Sequence, residues 1–244
     1  MEKINLPIKD LQKTLFEKRN LNESLEIVKK IEDSAKNNNI PLKDVKEEIL
    51  KELFGELKNY PKSSLSTIIN SIYYLTIDLK IEYEGIKRIV EKYPHILGYS
   101  IENIEERVKY LLSLGVRREN IGRIVEKYPH ILGYSIENNL NPKVEYFKDL
   151  GFSKKEIAEY IEKNPAIITY SFENRIVPRI EYAMKIGIKI NTLSEIYTLL
   201  YPNDIKFIEN LKNLVYPANF YEYLKFKDSE YVKEIIERYK VKNI

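Results

Sequence analysis

The sequence predicts an all-α protein made of tandem repeats, each with two helices and a short 3₁₀-like turn. Three observations carry this. Residues 88–103 read RIVEKYPHILGYSIEN, and residues 123–138 read the same sixteen letters again, 35 positions on. Diverged copies follow at 159–174 (EYIEKNPAIITYSFEN) and 195–210 (EIYTLLYPNDIKFIEN), and a faint one precedes at 55–70 (GELKNYPKSSLSTIIN). Each copy holds a proline (Pro61, Pro94, Pro129, Pro165, Pro202) and an asparagine nine residues later (Asn70, Asn103, Asn138, Asn174, Asn210). The proline spacings of 33, 35, 36 and 37 residues are those of a stacked helical array.

The elements follow in order. Residues 20–60 read as helical, with a break at Asn39-Ile40-Pro41-Leu42. Within a repeat, the first helix is typified by 153–163: Ser153 can cap its start, and Ile157, Tyr160 and Ile161 keep a 3.6-residue period. The proline ends it, because the residue before a proline disfavours α geometry. The Pro-x-Ile-Leu/Ile stretch is then the tight turn. Ser100, Ser135 and Ser171 cap the second helix, and Glu102, Glu137 and Glu173 suit its positive dipole end. Gly115, Gly151 and Gly187, spaced evenly by 36, end it in a left-handed conformation. Pro142 and Pro178 share a column with Glu106. A proline there either kinks the second helix or marks its true start after an irregular first turn. A last amphipathic helix spans 231–239. The expected organisation is one domain over 1–244: an N-terminal helical cap at 1–54, repeats at 55–215 and a C-terminal helical cap at 216–244.

Composition narrows the function. The 244 residues carry 40 Lys+Arg against 37 Asp+Glu, a net charge of +3, so a nucleic-acid site must be local rather than a global field. Cysteine is absent and only two histidines occur, which excludes disulfides, thiolate nucleophiles and zinc fingers. His95 and His130 follow the repeat prolines and are expected as exposed turn residues, too far apart (~10 Å, a helix-packing distance) to share a zinc ion. No apolar run reaches the ~18 residues of a membrane span. The opening residues, with Glu2, Asp10 and Glu17, read as neither signal nor transit peptide. The expected location is cytoplasmic or nucleoid, or an organelle matrix if the chain is a mature form. The Lys-, Glu- and Ile-rich composition suits a thermophile, and equally an AT-rich genome. No catalytic constellation, metal site or cofactor motif is found, so no enzyme is expected.

The heptad steps Pro94, Leu97, Ile104 and Leu111 are too short a run for a coiled coil and read as core between repeats. Tyr99, Tyr134, Tyr170 and Phe207 share a column that reads as a buried aromatic ladder or, alternatively, as base-stacking rings. The excess positive charge lies at 56–190, with 21 basic and 18 acidic residues; the flanks balance. Arg107, Lys143 and Arg179 align on the second helix, beside apolar Val108, Val144 and Ile180. A cation recurring at one column makes a stripe, as a phosphate backbone requires. Arg88 and Arg123 form another pair, and Arg117, Arg118, Lys154, Lys155 and Arg175 add charge at helix starts. The competing reading is solvated faces paired with Glu91, Glu126 and Glu145.

The repeat resembles that of the mitochondrial transcription termination factor (mTERF) family: Leu-Gly, a short helix, Pro-x-Ile-Leu, Ser, an acid, then an apolar heptad series. Here that is Leu114-Gly115, Ile121 to Tyr128, Pro129-His130-Ile131-Leu132, Ser135, Glu137, Leu140, Phe147 and Leu150-Gly151. The resemblance is strongest over 85–190. It implies a curved, left-handed helical solenoid that cradles double-stranded nucleic acid, acts in transcription termination, gene expression or ribosome assembly, and is not an enzyme. The leading expectation is therefore a monomeric duplex-DNA binder that regulates or terminates transcription. An RNA or ribosome-assembly binder is the second reading, and a protein-interaction scaffold is the third.

Overall fold

A computed structural model describes residues 7–57, 59–213 and 218–240. Every regular element among them is helical. The chain divides into two compact units, Met1–Lys109 with Arg117–Gly133, and Tyr110–Val116 with Tyr134–Ile244.

In the first unit, Ile8–Gln12, a π turn Lys13–Glu17, Leu21–Asn37 and Leu42–Phe54 form the N-terminal layer. The break expected at 39–42 falls at 38–41, and helical structure starts at Ile8, ahead of the helical reading from residue 20. Leu65–Ile77 follows. Then comes the leading helix Tyr83–Lys92 with its 3₁₀ turn Pro94–Gly98, and the leading helix Arg118–Lys127 with its turn Pro129–Gly133. The trailing helix Ile101–Leu114 runs on from the first of these turns, and its residues from Tyr110 onward belong to the second unit. The apolar column is fully buried, with Leu97, Ile104 and Leu111 all at 0% exposure.

In the second unit the same plan recurs. Lys154–Lys163 leads into the turn Pro165–Ile168, and Leu193–Leu200 is the leading helix before Pro202. A capping box at Ser153 and Glu156 starts one, and Thr192 and Glu195 form another. Helices end just before Pro94, Pro129, Pro165 and Pro202, as expected. At Pro61 and Pro202 the chain bends without a 3₁₀ turn. The helices Phe220–Lys227 and Glu230–Lys240 close the unit, the second of them at the place expected for the last amphipathic helix. Tyr231 donates to Glu181 and Tyr239 to Asp149, at 2.8 and 2.6 Å. The expected boundary between repeats and C-terminal cap, at 215 and 216, lies outside the described residues.

The helix caps behave as the sequence suggests. Ser100, Ser135 and Ser171 accept from the N–H of Asn103, Asn138 and Asn174 at 3.3, 3.0 and 3.1 Å. Gly115, Gly151 and Gly187 have φ of +105°, +99° and +91°. Each closes the same pair of hydrogen bonds, as in Gly151 N–H to Lys148 and Phe152 N–H to Phe147.

The two prolines at 142 and 178 resolve the open alternative in favour of an irregular first turn. Ile136–Leu140 and Phe172–Ile176 are π turns, closed by Leu140 N–H to the Ser135 carbonyl and Ile176 N–H to the Ser171 carbonyl, at 3.1 and 2.9 Å. The regular helices Asn141–Asp149 and Val177–Lys185 start there, with the proline in their first two positions. A proline ring clashes with the carbonyl four residues back, and a widened turn relieves this. Where the column holds Glu106, the helix Ile101–Leu114 is α throughout.

Candidate nucleic-acid interface

The cation column on the trailing helices does not face solvent. Lys143 is 1% exposed and Arg179 is 0% exposed, which corrects the expected stripe. The reason lies in the proline breaks. A leading helix that stops at a proline, and the turn that follows it, leave carbonyls without partners, and the preceding trailing helix supplies a cation to them. Lys143 Nζ donates to the Ile168 carbonyl at 2.8 Å and to Asn139 Oδ1 at 2.6 Å. The Arg179 guanidinium donates to the carbonyls of Leu199, Leu200 and Pro202 at 2.9, 3.1 and 2.7 Å, and to Asp204 at 2.6 Å. Burial pushes the Asp204 carboxyl up, but hydrogen bonding to Arg179 and the charges of Arg179 and Lys227 hold it below its ordinary range. Arg107 is half-buried; it donates to the Asn103 carbonyl at 3.2 Å and pairs with Glu106.

The aromatic column is not a buried ladder either. Phe207 is buried, but Tyr99, Tyr134 and Tyr170 are only half-buried. Cations cover three of the rings: Lys143 over Tyr134 at 5.0 Å, Arg175 over Tyr170 at 5.2 Å and Arg179 over Phe207 at 5.0 Å. Arg175 is thus committed to a ring.

Of the cations expected at the site, the exposed ones lie on the leading helices or at their starts. In the second unit, Lys154 and Lys155 sit at the start of Lys154–Lys163, and Lys155 lies 3.9 Å from Glu159. In the first unit, Arg117 and Arg118 open Arg118–Lys127. Arg118 is tied to the Asp78 carbonyl at 3.1 Å, and Arg117 lies 3.8 Å from Glu119. The helices Tyr83–Lys92 and Arg118–Lys127 pack side by side. Gly122 lets Arg118–Lys127 approach the chain just ahead of Tyr83–Lys92, since a Cβ there would run into the Leu79 carbonyl oxygen. Arg88 forms an ion pair with Glu126 across them.

One column escaped the sequence reading. Lys92, Lys127 and Lys163 each stand two residues before a repeat proline, and all three are exposed. Lys92 lies four residues after Arg88, and Lys127 four after Arg123, so each pair shares a helix face ~6 Å apart along the axis. Both pairs were present in the duplicated RIVEKYPH, where only the arginine was singled out. Each helix then runs into an aromatic turn. His95, Tyr93, His130 and Tyr128 form a row of edge-to-face rings with centroids 6.1, 6.4 and 6.1 Å apart. Lys127 lies over Tyr128 at 5.6 Å. His95 is exposed as expected, while His130 is half-buried in this row. Among the described residues no group of His, Asp and Glu could hold a metal ion, and no helix is long and apolar enough to cross a membrane.

The family model for mTERF matches residues 1–208. The chain belongs to the mTERF family. No curated protein matches it. Membership supports a nucleic-acid-binding, transcription-related role, and mTERF proteins are not enzymes. The match stops short of Phe220–Lys227 and Glu230–Lys240. In this mTERF chain, exposed cations and half-exposed rings come together on the leading helices and turns of the first unit. Of the site residues expected from sequence, that surface gathers Arg88, Arg123, Arg117 and Arg118.

Proposed function

We propose that the chain binds duplex DNA through the leading helices Tyr83–Lys92 and Arg118–Lys127, and acts in transcription as a bound obstacle that regulates or terminates it. The observation that carries this is the pairing of Arg88 with Lys92 and of Arg123 with Lys127 on adjacent helices, each ending in an aromatic turn. Two parallel rows of cations suit a phosphate backbone. The protein needs no cofactor for this and acts as a monomer, in the nucleoid or cytoplasm, or in an organelle matrix.

The row His95, Tyr93, His130 and Tyr128 favours a second reading, RNA, because half-exposed rings stack on bases that a duplex keeps closed. Fluorescence anisotropy across a salt series, with duplex DNA, duplex RNA and single strands of matched sequence, separates the two. Removing Arg88, Lys92, Arg123 and Lys127 one at a time as alanine is expected to weaken duplex DNA binding. Each removal should lower the log–log salt slope by about one. A quadruple variant with wild-type affinity and slope overturns the proposal, and tighter binding of RNA replaces it with the second reading.

A further inference from the structure

A cleft of about 550 Å³ opens in the first unit between the bend at Pro61 and the turn Pro94–Gly98. That volume is typical of a small-ligand site. Tyr60, Tyr93 and Tyr99 line it, with Lys62, Ser63 and His95. The cleft exists because the repeat is incomplete there. One repeat later, the corresponding space over Gly133 is filled by the hydroxyls of Tyr93 and Tyr99. The counterpart of Tyr99 at Pro61 is Ser66, so no ring reaches over Gly98. There the nearest side chain is Ser63, whose hydroxyl donates to the Gly98 carbonyl at 3.0 Å.

The wall is aromatic and carries one cation, Lys62. Its described residues include an exposed lysine and an exposed histidine and no carboxylate. The other two described cavities contain Glu181 in one, and Asp78, Glu119 and Glu126 in the other. Burial and the hydrogen bond to Tyr93 hold the Tyr99 phenol above its ordinary range, so it stays uncharged. The two hydroxyls lie 2.6 Å apart, which fixes both rings. Tyr60 donates to Glu56 at 3.4 Å, and Lys51 neutralises that carboxylate from behind.

We propose that this cleft is a nucleotide site, taking an unpaired base against Tyr60, Tyr93 and Tyr99 and its phosphate on Lys62. It deepens the nucleic-acid reading above, on which it rests, by naming an unpaired nucleotide as its ligand. That nucleotide is either free or part of a strand, and the chemistry of recognition is the same: a flat π-face on phenol rings and an anion on an ammonium.

The test uses a 12-nucleotide RNA carrying 5-iodouridine, free UMP, and a duplex DNA of the same sequence. Irradiation of the full chain with the RNA is expected to cross-link Tyr60, Tyr93 or Tyr99. Competition by free UMP assigns the site to a mononucleotide; persistence of the cross-link in UMP assigns it to a strand. Tyr60→Ala and Lys62→Ala are each expected to weaken RNA binding about tenfold, the loss of one base stack or one phosphate contact. Duplex DNA affinity should stay within twofold. RNA affinity unchanged in both variants, with no cross-link at the three tyrosines, overturns the inference. So does displacement of the RNA by a proline-rich peptide, the other occupant that tyrosine clefts accept. The cross-link is read on the unaltered chain, so a folding defect cannot mimic it. Failure of the helix-face reading appears separately, as an unchanged salt slope in the quadruple variant.

Discussion

Arg179 spreads one guanidinium over three carbonyls and a carboxylate at zero exposure. Arg179→Ala leaves those acceptors without donors and Asp204 without its closest cation. The expected cost is about 3 kcal/mol or more, seen as a lower urea midpoint, with the nucleic-acid salt slope unchanged in the folded protein. Lys143 does the same work with a weaker group. Burial pushes its ammonium down to about 8 from an ordinary 10.5. Between those two values the unfolded chain binds more protons than the folded one, so stability from this group rises with pH from about 8 to 10.5 and is flat below. The neutral amine can still donate to Ile168 and Asn139. Urea titrations at pH 7.5 and 10 are expected to show wild type gaining about 2 kcal/mol over Lys143→Met. An equal response in both proteins would remove Lys143 as the cause. Sequence could not show that this column was buried. Lys143 lies between Pro142 and Val144, at the edge of the apolar face, where a one-position rotation separates solvent from core. The distant acceptor it serves is a backbone carbonyl, that of Ile168, which leaves no trace in side-chain patterns.

At the scale of the element, two glycines do different jobs. Gly151 ends a trailing helix at φ +99° with open space where a Cβ would stand. Gly151→Ala therefore costs only backbone strain, about 1–2 kcal/mol. Gly122 has no such constraint, but a Cβ there meets the Leu79 carbonyl oxygen, which is backbone and cannot swing away. Gly122→Ala is expected to cost about 3 kcal/mol and to push the helix Arg118–Lys127 away from the backbone at Leu79, weakening duplex binding as well. Thermal melts with anisotropy check both; equal losses in the two variants would contradict this account. The Gly151 role was legible because a glycine at an even 36-residue spacing after an apolar run has one common use. The Gly122 role was not, because it depends on a neighbour 43 positions away. The π turns were half legible: Pro142 and Pro178 announced a disturbance, and only the backbone shows that the turn widens instead of bending.

For the molecule as a whole, fold was far more legible than site. Repetition averages out local ambiguity: a proline, a serine cap and a glycine that recur in register support one another, whereas a single cap would not. Charge has no such redundancy. Basic residues recurred in several columns, and the column chosen first, through Arg107, Lys143 and Arg179, proved structural in the two buried copies. The net charge of +3 adds a whole-molecule expectation. Removing Arg88, Lys92, Arg123 and Lys127 together turns it to −1, and retention on heparin should then be lost. Retention at the wild-type salt concentration would move the interface elsewhere. The duplicated block has a consequence of another kind. Residues 88–103 and 123–138 are identical, so cutting 35 residues anywhere between matching points joins the chain without a new junction. Unequal exchange between the two copies would therefore add or delete one whole repeat cleanly. Each product would keep the leading helix, its cations and its aromatic turn, and the lineage could lengthen or shorten its array in single steps without inventing a residue.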